Sequence, residues 1–559
     1  MNYCLISNTS DCKNCYKCIR HCPIKAISFE NDRASIIHED CILCGTCYNV
    51  CPQNLKVIRN DLEKVQGLIR YSNQVFVSLA PSFIAYYPEA DITTMRKALQ
   101  KLGFTDVEET AVGATIVKSA YDEMLDDDHD IIISSCCHSV NTLIKRYYPD
   151  CLPYLADVLS PMQAHGLDIK KRYGNDAKVV FIGPCIAKKD EADRHPEYID
   201  AVLTFGELDR WLSEKNEAIE EVTSKEAIEK SKARLFPTTG GILRTMKKAN
   251  PDFSYMAIDG TEEVISTLQD IREGKIHKCF IEMSTCHGSC VNGPIIVKKQ
   301  QSIVTGTLSV NRFAGKEDFD FTATTKEIKH IYVDDSVHLP MPEESQIEET
   351  LIRMGKKDPR KRLNCGSCGY DSCREKAIAI IRGKAKEEMC LPFLMEKATS
   401  LSDNIVSNTP NGVMVLDEDL NIQLINDTMC RIVGNIKAQD VIKTQVVSIL
   451  DPFDYLDALD GKSVFAKKEY LSEYDRYVEN TIVHDDKFNV LICIMRDITR
   501  EEVAKQKQQE LMEKTLSITD DVLSKNMMTV HEIASLLGET AAQTKVALTS
   551  LKDTIKNHE

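Results

Sequence analysis

Cys12, Cys15, Cys18 and Cys22-Pro23 form the run C-x2-C-x2-C-x3-C-P, and Cys41, Cys44, Cys47 and Cys51-Pro52 repeat it. Thiolates at this spacing do electron-transfer chemistry on iron and sulfide. Three cysteines two residues apart wrap one corner of a cubane, and the fourth, carried away by the turn before proline, ligates the other cluster. The expected ligand sets are therefore Cys12, Cys15, Cys18 with Cys51, and Cys41, Cys44, Cys47 with Cys22, each around one 4Fe-4S cluster. A pair of structural zinc ions would also accept four ligands each, but duplicated runs of this kind rarely serve zinc. Cys4 lies outside the repeat and reads as a free thiol.

Five more thiols close apolar runs. Cys136 and Cys137 follow Ile131-Ile132-Ile133, Cys185 follows Val179-Val180-Phe181-Ile182, and Cys286 and Cys290 follow Cys279-Phe280-Ile281-Glu282. Sites in an open α/β sheet collect at the carboxyl ends of its strands, so these distant thiols should converge, and four of them could hold one more cubane. Cys365, Cys368, Cys373 and Cys390 make C-x2-C-x4-C-x16-C, with Gly366 and Gly369 letting backbone approach a cluster closely. Zinc is the alternative there. Cys151 and Cys279 sit among apolar residues and read as buried thiols, and Cys430, Cys493 and His484 as packing or surface residues.

The elements that must carry these residues make a multidomain α+β chain. Its 559 residues and 43% apolar content suit several domains in series. We divide it into a cysteine-rich head at 1–60, an α/β domain at 61–345, a small cysteine-rich domain at 355–395, a domain of short strands at 400–500 and a helical tail at 501–559. The head has too few apolar residues for a core of its own. Val75-Phe76-Val77 and the other apolar runs alternate with helical stretches, as buried strands of one parallel sheet do. The charged stretch from His338 to Arg362 reads as a linker. In the tail, Leu523, Met527, Val530, Ala534, Leu537 and Ala541 recur every three or four residues, the mark of an amphipathic helix or coiled coil.

Composition excludes several classes. A net charge of -16 gives no electrostatic reason for nucleic-acid binding. No apolar run nears the ~20 residues needed to span a bilayer, and the start lacks a basic and then apolar leader, so the expected location is the cytoplasm. In a large cytoplasmic chain, 22 cysteines point to metal ligation rather than disulfides.

Residues of the central domain resemble the catalytic domain of the FeFe hydrogenases, with signatures T-S-C-C-P-x-W, M-P-C-x-x-K-x-x-E and E-x-M-A-C-x-x-G-C. The resemblance covers roughly residues 70 to 310. It implies an H-cluster whose 4Fe-4S part is held by Cys137, Cys185, Cys286 and Cys290, with Cys290 bridging to a diiron unit that carries CO, CN and a dithiolate amine. It makes Lys188 the donor to a cyanide, Glu191 the signature acid, and Ala80, Pro81 and Ser82 the segment beside the diiron unit. Cys136 matches the thiol that passes protons to the amine. The head is ferredoxin-like. The 365–390 unit looks like the small 4Fe-4S domain of corrinoid iron-sulfur proteins, and Ile405 to Asn426 with the closing Arg496-Asp497-Ile498-Thr499 resembles a PAS domain. His531-Glu532 faintly resembles a kinase phosphoacceptor, but no ATP-binding domain follows, and a solvated histidine is the simpler reading.

The departures from the family matter as much. His138 and Val140 replace the Pro and Trp of the first signature, Gly183 the Met of the second, and Ser284 the Met of the third. On the family's proton path, two glutamates align with Ser119 and Asp122 and a serine with Ala156. A methyl group carries no proton, so turnover is expected to be slow. The reading is a sensory FeFe hydrogenase with three accessory 4Fe-4S clusters and an H-cluster. Its implied partners are a ferredoxin-like electron partner, a downstream signalling protein and hydrogenase maturation proteins, with a homodimer formed through the C-terminal helix. An ordinary ferredoxin-coupled hydrogenase is one alternative. The other is an iron-sulfur redox protein lacking the diiron unit, as in hydrogenase-like assembly proteins.

Overall fold

The computed structural model describes residues 3–8, 11–125, 129–221, 232–247, 250–336 and 340–556. The start of the expected linker at His338 and the end of the tail at Glu559 lie outside them. The chain forms two compact units, residues 1–394 and 395–559.

In the first unit the apolar runs become parallel strands in two sheets, where the sequence suggested one. The larger sheet runs Asp106–Glu109, Val75–Leu79, Lys178–Gly183, Ala201–Thr204, and the smaller runs Ser254–Asp259, Cys279–Ser284, Ile131–Ile133. All five residues of Val75–Leu79 are buried, because a parallel strand covered on both faces has no solvent side to give to polar residues. Periodicity reveals each strand but not its partner, so the division into two sheets left no mark in the pattern.

The head contains two short antiparallel pairs, Leu5–Ser7 with Lys56–Ile58 and Ile27–Glu30 with Arg33–Ile36. Its core is shared. Leu5, Ile19, Ile27 and Phe29 cluster with Tyr370, Ala379 and Met389 of the small cysteine-rich domain, which supplies the apolar surface that the head alone lacks. Gly369, at φ +93°, passes so close that an added Cβ would meet Ile19 Cγ2 at 2.9 Å. Arg20 donates to the carbonyls of Gly366 and Ser367, and Lys25 to that of Gly369. The expected linker is corrected in part: Glu344–Arg353 is a helix, and its Ile347 and Leu351 pack on Ala377 of the Cys373–Ile381 helix. An i, i+4 apolar pair inside a charged stretch was enough to seat one helical face.

The second unit holds a five-stranded antiparallel sheet in the order Ile422–Ile425, Gly412–Leu416, Val490–Asp497, Arg476–Asp485, Val464–Leu471. Met414, Ile482, Leu491 and Met495 lie in its core. A helix then runs over Thr499–Lys556. No helix among the described residues is long and apolar enough to cross a membrane.

A buried charge network ties the head to the α/β domain. Lys189, fully buried, donates to Asp61 at 2.8 Å, to Glu207 at 3.0 Å and to the Val202 carbonyl at 2.9 Å. Arg59 bridges Asp61 to Asp193. Lys189→Met should destabilise the first unit by about 3–5 kcal/mol, because two buried carboxylates lose their shared cation. Chemical denaturation of the two proteins at matched cluster content would measure it, and a loss below about 1 kcal/mol would show that Arg59 suffices.

Candidate metal centres

The head gathers its thiols into two cavities. Cys12, Cys15, Cys18 and Cys51 line one, and Cys22, Cys41, Cys44 and Cys47 line the other. Each run thus contributes three cysteines to one cavity and its pre-proline cysteine to the other. Backbone N–H groups aim at the sulfurs: Ala26 to Cys22 at 3.3 Å, Leu43 to Cys41 at 3.4 Å and Leu55 to Cys51 at 3.4 Å. Loss of surrounding water pushes Cys22 up to about 11 and Cys41 up to about 12, and the neighbouring Cys44 thiol pushes the same way. Such sets stay protonated unless a positive centre joins them.

In the small domain Cys368 and Cys390 are buried, Cys373 is half-buried and Cys365 is exposed. Lys376, on the helix that Cys373 opens, is fully buried and feels Cys368, Cys390 and Cys373. Burial lowers this ammonium, and those thiols oppose the shift.

The third centre is assembled between the sheets. Cys136 and Cys137 leave the Ile131–Ile133 strand and Cys286 the Cys279–Ser284 strand of the smaller sheet, while Cys185 leaves Lys178–Gly183 of the larger one. Cys286 is held well above its ordinary range by desolvation first and then by Cys185, Cys137 and Cys290, and the head's Cys44 adds to the effect. The thiols therefore converge, with one head cavity beside them. Lys188 reaches in from the Ala187–Arg194 helix, its Nζ bonded to Glu191 at 2.5 Å, Ser160 Oγ at 3.0 Å and the Cys136 carbonyl at 3.2 Å.

The segment at Ala80–Ser82 adjoins Gly183: a Cβ on Gly183 would meet the Phe181 ring at 2.6 Å and Ala80 Cβ at 3.1 Å. Phe181 thus takes the space that a side chain at 183 would need. Ser284 Oγ lies 2.9 Å from Ser289 Oγ and donates to the Cys286 carbonyl at 3.4 Å. Ser82 Oγ is buried and has no hydrogen-bond partner among the described residues. Four thiols and one buried ammonium fit a cubane with an anionic group attached.

Of the relay positions, Ser119 bonds back to the Thr115 carbonyl at 2.9 Å, Asp122 accepts from the Lys247 N–H, and Ala156 is fully buried. His138 pairs with Asp190 at 2.8 Å. Sequence reasoning missed three groups here. Tyr121 places its hydroxyl 3.3 Å from Cys136 Sγ. Glu282 accepts from the N–H groups of Gly240, Ile242 and Leu243, and burial raises it to about 7. Tyr332 donates to the Val158 carbonyl. The E-x-M-A-C-x-x-G-C signature, whose first position falls on Glu282, could have flagged that residue; the two tyrosines carry no local signal.

Residues 71–294 match the family model of the iron-only hydrogenase large subunit, C-terminal domain. Residues 4–63 match a 4Fe-4S dicluster domain, 362–392 an Fe-S cluster model and 401–469 a PAS domain. Iron hydrogenase 1 of Clostridium pasteurianum is 27% identical over 45% of this chain and 63% of its own length. The large subunit of the periplasmic Fe hydrogenase of Nitratidesulfovibrio vulgaris is 28% identical over 37% and 63%, so the chain spans 63% of each of these two relatives. The cytosolic Fe-S cluster assembly factor NAR1 of Debaryomyces hansenii is 25% identical over 33% and 40%. A solved FeFe-hydrogenase of Chlamydomonas reinhardtii aligns with 50% of this chain and 100% of its own at 15% identity, TM-score 0.38.

Gly45 lies between Cys44 and the α/β domain, at φ +79°, and a Cβ there would fall 2.4 Å from Pro294 Cγ and 3.2 Å from Ile186 Cδ1. Gly45→Ala should therefore cost about 1–3 kcal/mol, from strain and overpacking together. It should also loosen the head locally, which faster amide exchange over residues 41–51 than over 75–79 would report.

Proposed function

We propose, from the premise that this is an iron-sulfur chain with an iron-only hydrogenase-type catalytic domain, a 4Fe-4S dicluster head, a PAS domain and a C-terminal helix, that it is a sensory hydrogenase of low turnover. The observation that carries the reading is the convergence of Cys137, Cys185, Cys286 and Cys290 beside Lys188, in a chain that continues into a PAS domain. When bound, an H-cluster supplies the reversible cleavage of dihydrogen. Cys137, Cys185, Cys286 and Cys290 would hold it, Cys290 as the bridging thiolate. Lys188, whose three N–H groups now go to Glu191, Ser160 and the Cys136 carbonyl, would turn one of them to an anionic ligand, and Glu191 holds that ammonium in place. Cys136 holds the proton nearest the site at Sγ. Around it the protein has removed help: Ala156 has no exchangeable proton, and Gly183 and Ser284 stand where methionines would wall the pocket.

The head and small-domain thiol sets would hold three accessory 4Fe-4S clusters that exchange electrons with a ferredoxin-like partner in the cytoplasm. Maturation proteins would install the diiron unit, and a downstream signalling protein would read the PAS domain. The tail supports a homodimer. Leu523, Met527, Val530, Leu537, Leu548, Leu551 and Ile555 fall on one seam of alternating three- and four-residue steps, and all are more than half exposed. The assembly-factor relatives favour a second reading, a cubane with no diiron unit.

Chain made without maturation factors should carry about sixteen iron atoms, four per thiol set, and no hydrogenase activity. After maturation, infrared bands of metal-bound CO and CN should appear; their absence would establish the second reading. Cys290→Ala should abolish those bands, whereas Cys136→Ala should keep them and lower hydrogen evolution by about 10²-fold or more. Val530→Lys with Leu537→Lys should convert a dimer to a monomer in sedimentation velocity, with iron content unchanged.

A further inference from the structure

The Tyr121 hydroxyl is more than a neighbour of Cys136. Its oxygen lies 3.3 Å from Cys136 Sγ, 3.1 Å from Ser135 Oγ and 2.9 Å from the Ser135 nitrogen, whose N–H it accepts. Ser135 Oγ lies 2.9 Å from the Val158 carbonyl, and a carbonyl only accepts, so the serine proton is committed there. The serine oxygen is thereby left to accept from Tyr121. Tyr121 has one proton for Ser135 Oγ or for Cys136 Sγ; when it goes to Ser135, the lone pair not taken by the Ser135 N–H is free for the Cys136 S–H. In that arrangement, which we assign, the donors form one directed chain: Cys136 to Tyr121 to Ser135 to Val158. The ring that carries the hydroxyl is fully buried and meets Phe280 edge to face at 5.5 Å.

The geometry points to Tyr121 as the positioning residue for Cys136, the group that fixes the thiol in the rotamer from which it exchanges a proton with the active site. This rests on the hydrogenase reading above. A hydroxyl suits the task because it accepts from a thiol and can turn to donate to the same sulfur once the proton has left. No covalent bond of Tyr121 need break. The helical step explains why Tyr121 takes this place. Ser119 and Asp122, three residues apart, share a face of the Ala111–Met124 helix, and Tyr121 lies about 100° from Asp122, where it meets Ser135 and Cys136. With Ala156 offering no hydroxyl, Tyr121 gives the thiol a fixed polar partner.

The test reads the thiol directly. In protein made without maturation factors, the infrared S–H band assigned to Cys136 by its loss in Cys136→Ala should move to higher frequency in Tyr121→Phe, because the S–H acceptor is gone. In matured protein of equal CO and CN band intensity, Tyr121→Phe should lower hydrogen evolution by about tenfold, the worth of one hydrogen bond. An unmoved S–H band, or a moved band with an unchanged rate, overturns the assignment. Should Tyr121→Phe fail to fold, the wild-type band decides: below that of the denatured chain it supports the contact, and at the same frequency it overturns it. Wild-type protein without CO and CN bands overturns the hydrogenase reading, and this role with it, whatever the S–H band shows.

Discussion

Thiols gathered by fours repel one another's ionised forms, and the first unit is organised around that constraint. In the Cys22, Cys41, Cys44 and Cys47 set and in the central set, thiols are held above their ordinary range, chiefly by loss of water and then by the other thiols. Such a set is unfavourable for an empty protein and favourable for one that places a positive metal centre among the sulfurs, so metal loading and folding are coupled. The surrounding fold supplies what a thiolate needs, backbone N–H groups on the sulfurs and buried lysines at 188 and 376.

The Ala187–Arg194 helix shows how that chemistry is tied to the rest of the unit. Lys188 and Lys189 are successive residues, so their side chains diverge by about 100°. One reaches Glu191, Ser160 and the Cys136 carbonyl, and the other reaches Asp61 and Glu207. The ammonium beside the central thiols and the cation that fastens the head thus share three turns of backbone at most. Displacing the head strains the helix that sets Lys188, and the Gly45 contact with Pro294 makes the same junction from the other side.

The small cysteine-rich domain completes the head physically, since its Tyr370, Ala379 and Met389 fill the head's core and Arg20 and Lys25 bind the carbonyls of its ligand loop. The two thiol-rich segments, separated by the whole α/β domain in sequence, are one folded body. The PAS-type unit is different in kind. Its antiparallel sheet closes over its own core of methionine and aliphatic residues, and Cys493 is absorbed into a contact with Tyr455 and Asn480.

Sequence alone determined whatever local spacing controls: the two crossed thiol sets of the head, the strand ends that carry Cys137, Cys185 and Cys286, the altered residues at 183, 284 and 156, and the tail helix. The thiol sets, strand ends and tail follow from short-range rules, a turn before proline, a continuous apolar run and a period of 3.6, and the altered residues from the resemblance to family signatures. Tertiary structure decided what depends on residues far apart in the chain. Whether the strands formed one sheet or two turns on pairings such as Phe280 with Ile132, which leave no trace in either strand's pattern. The helix at 344–353 formed because Ala377 was there to receive it. Tyr121 became the neighbour of Cys136 because a helix and a strand crossed at that point, and no periodicity assigns a buried hydroxyl its partner.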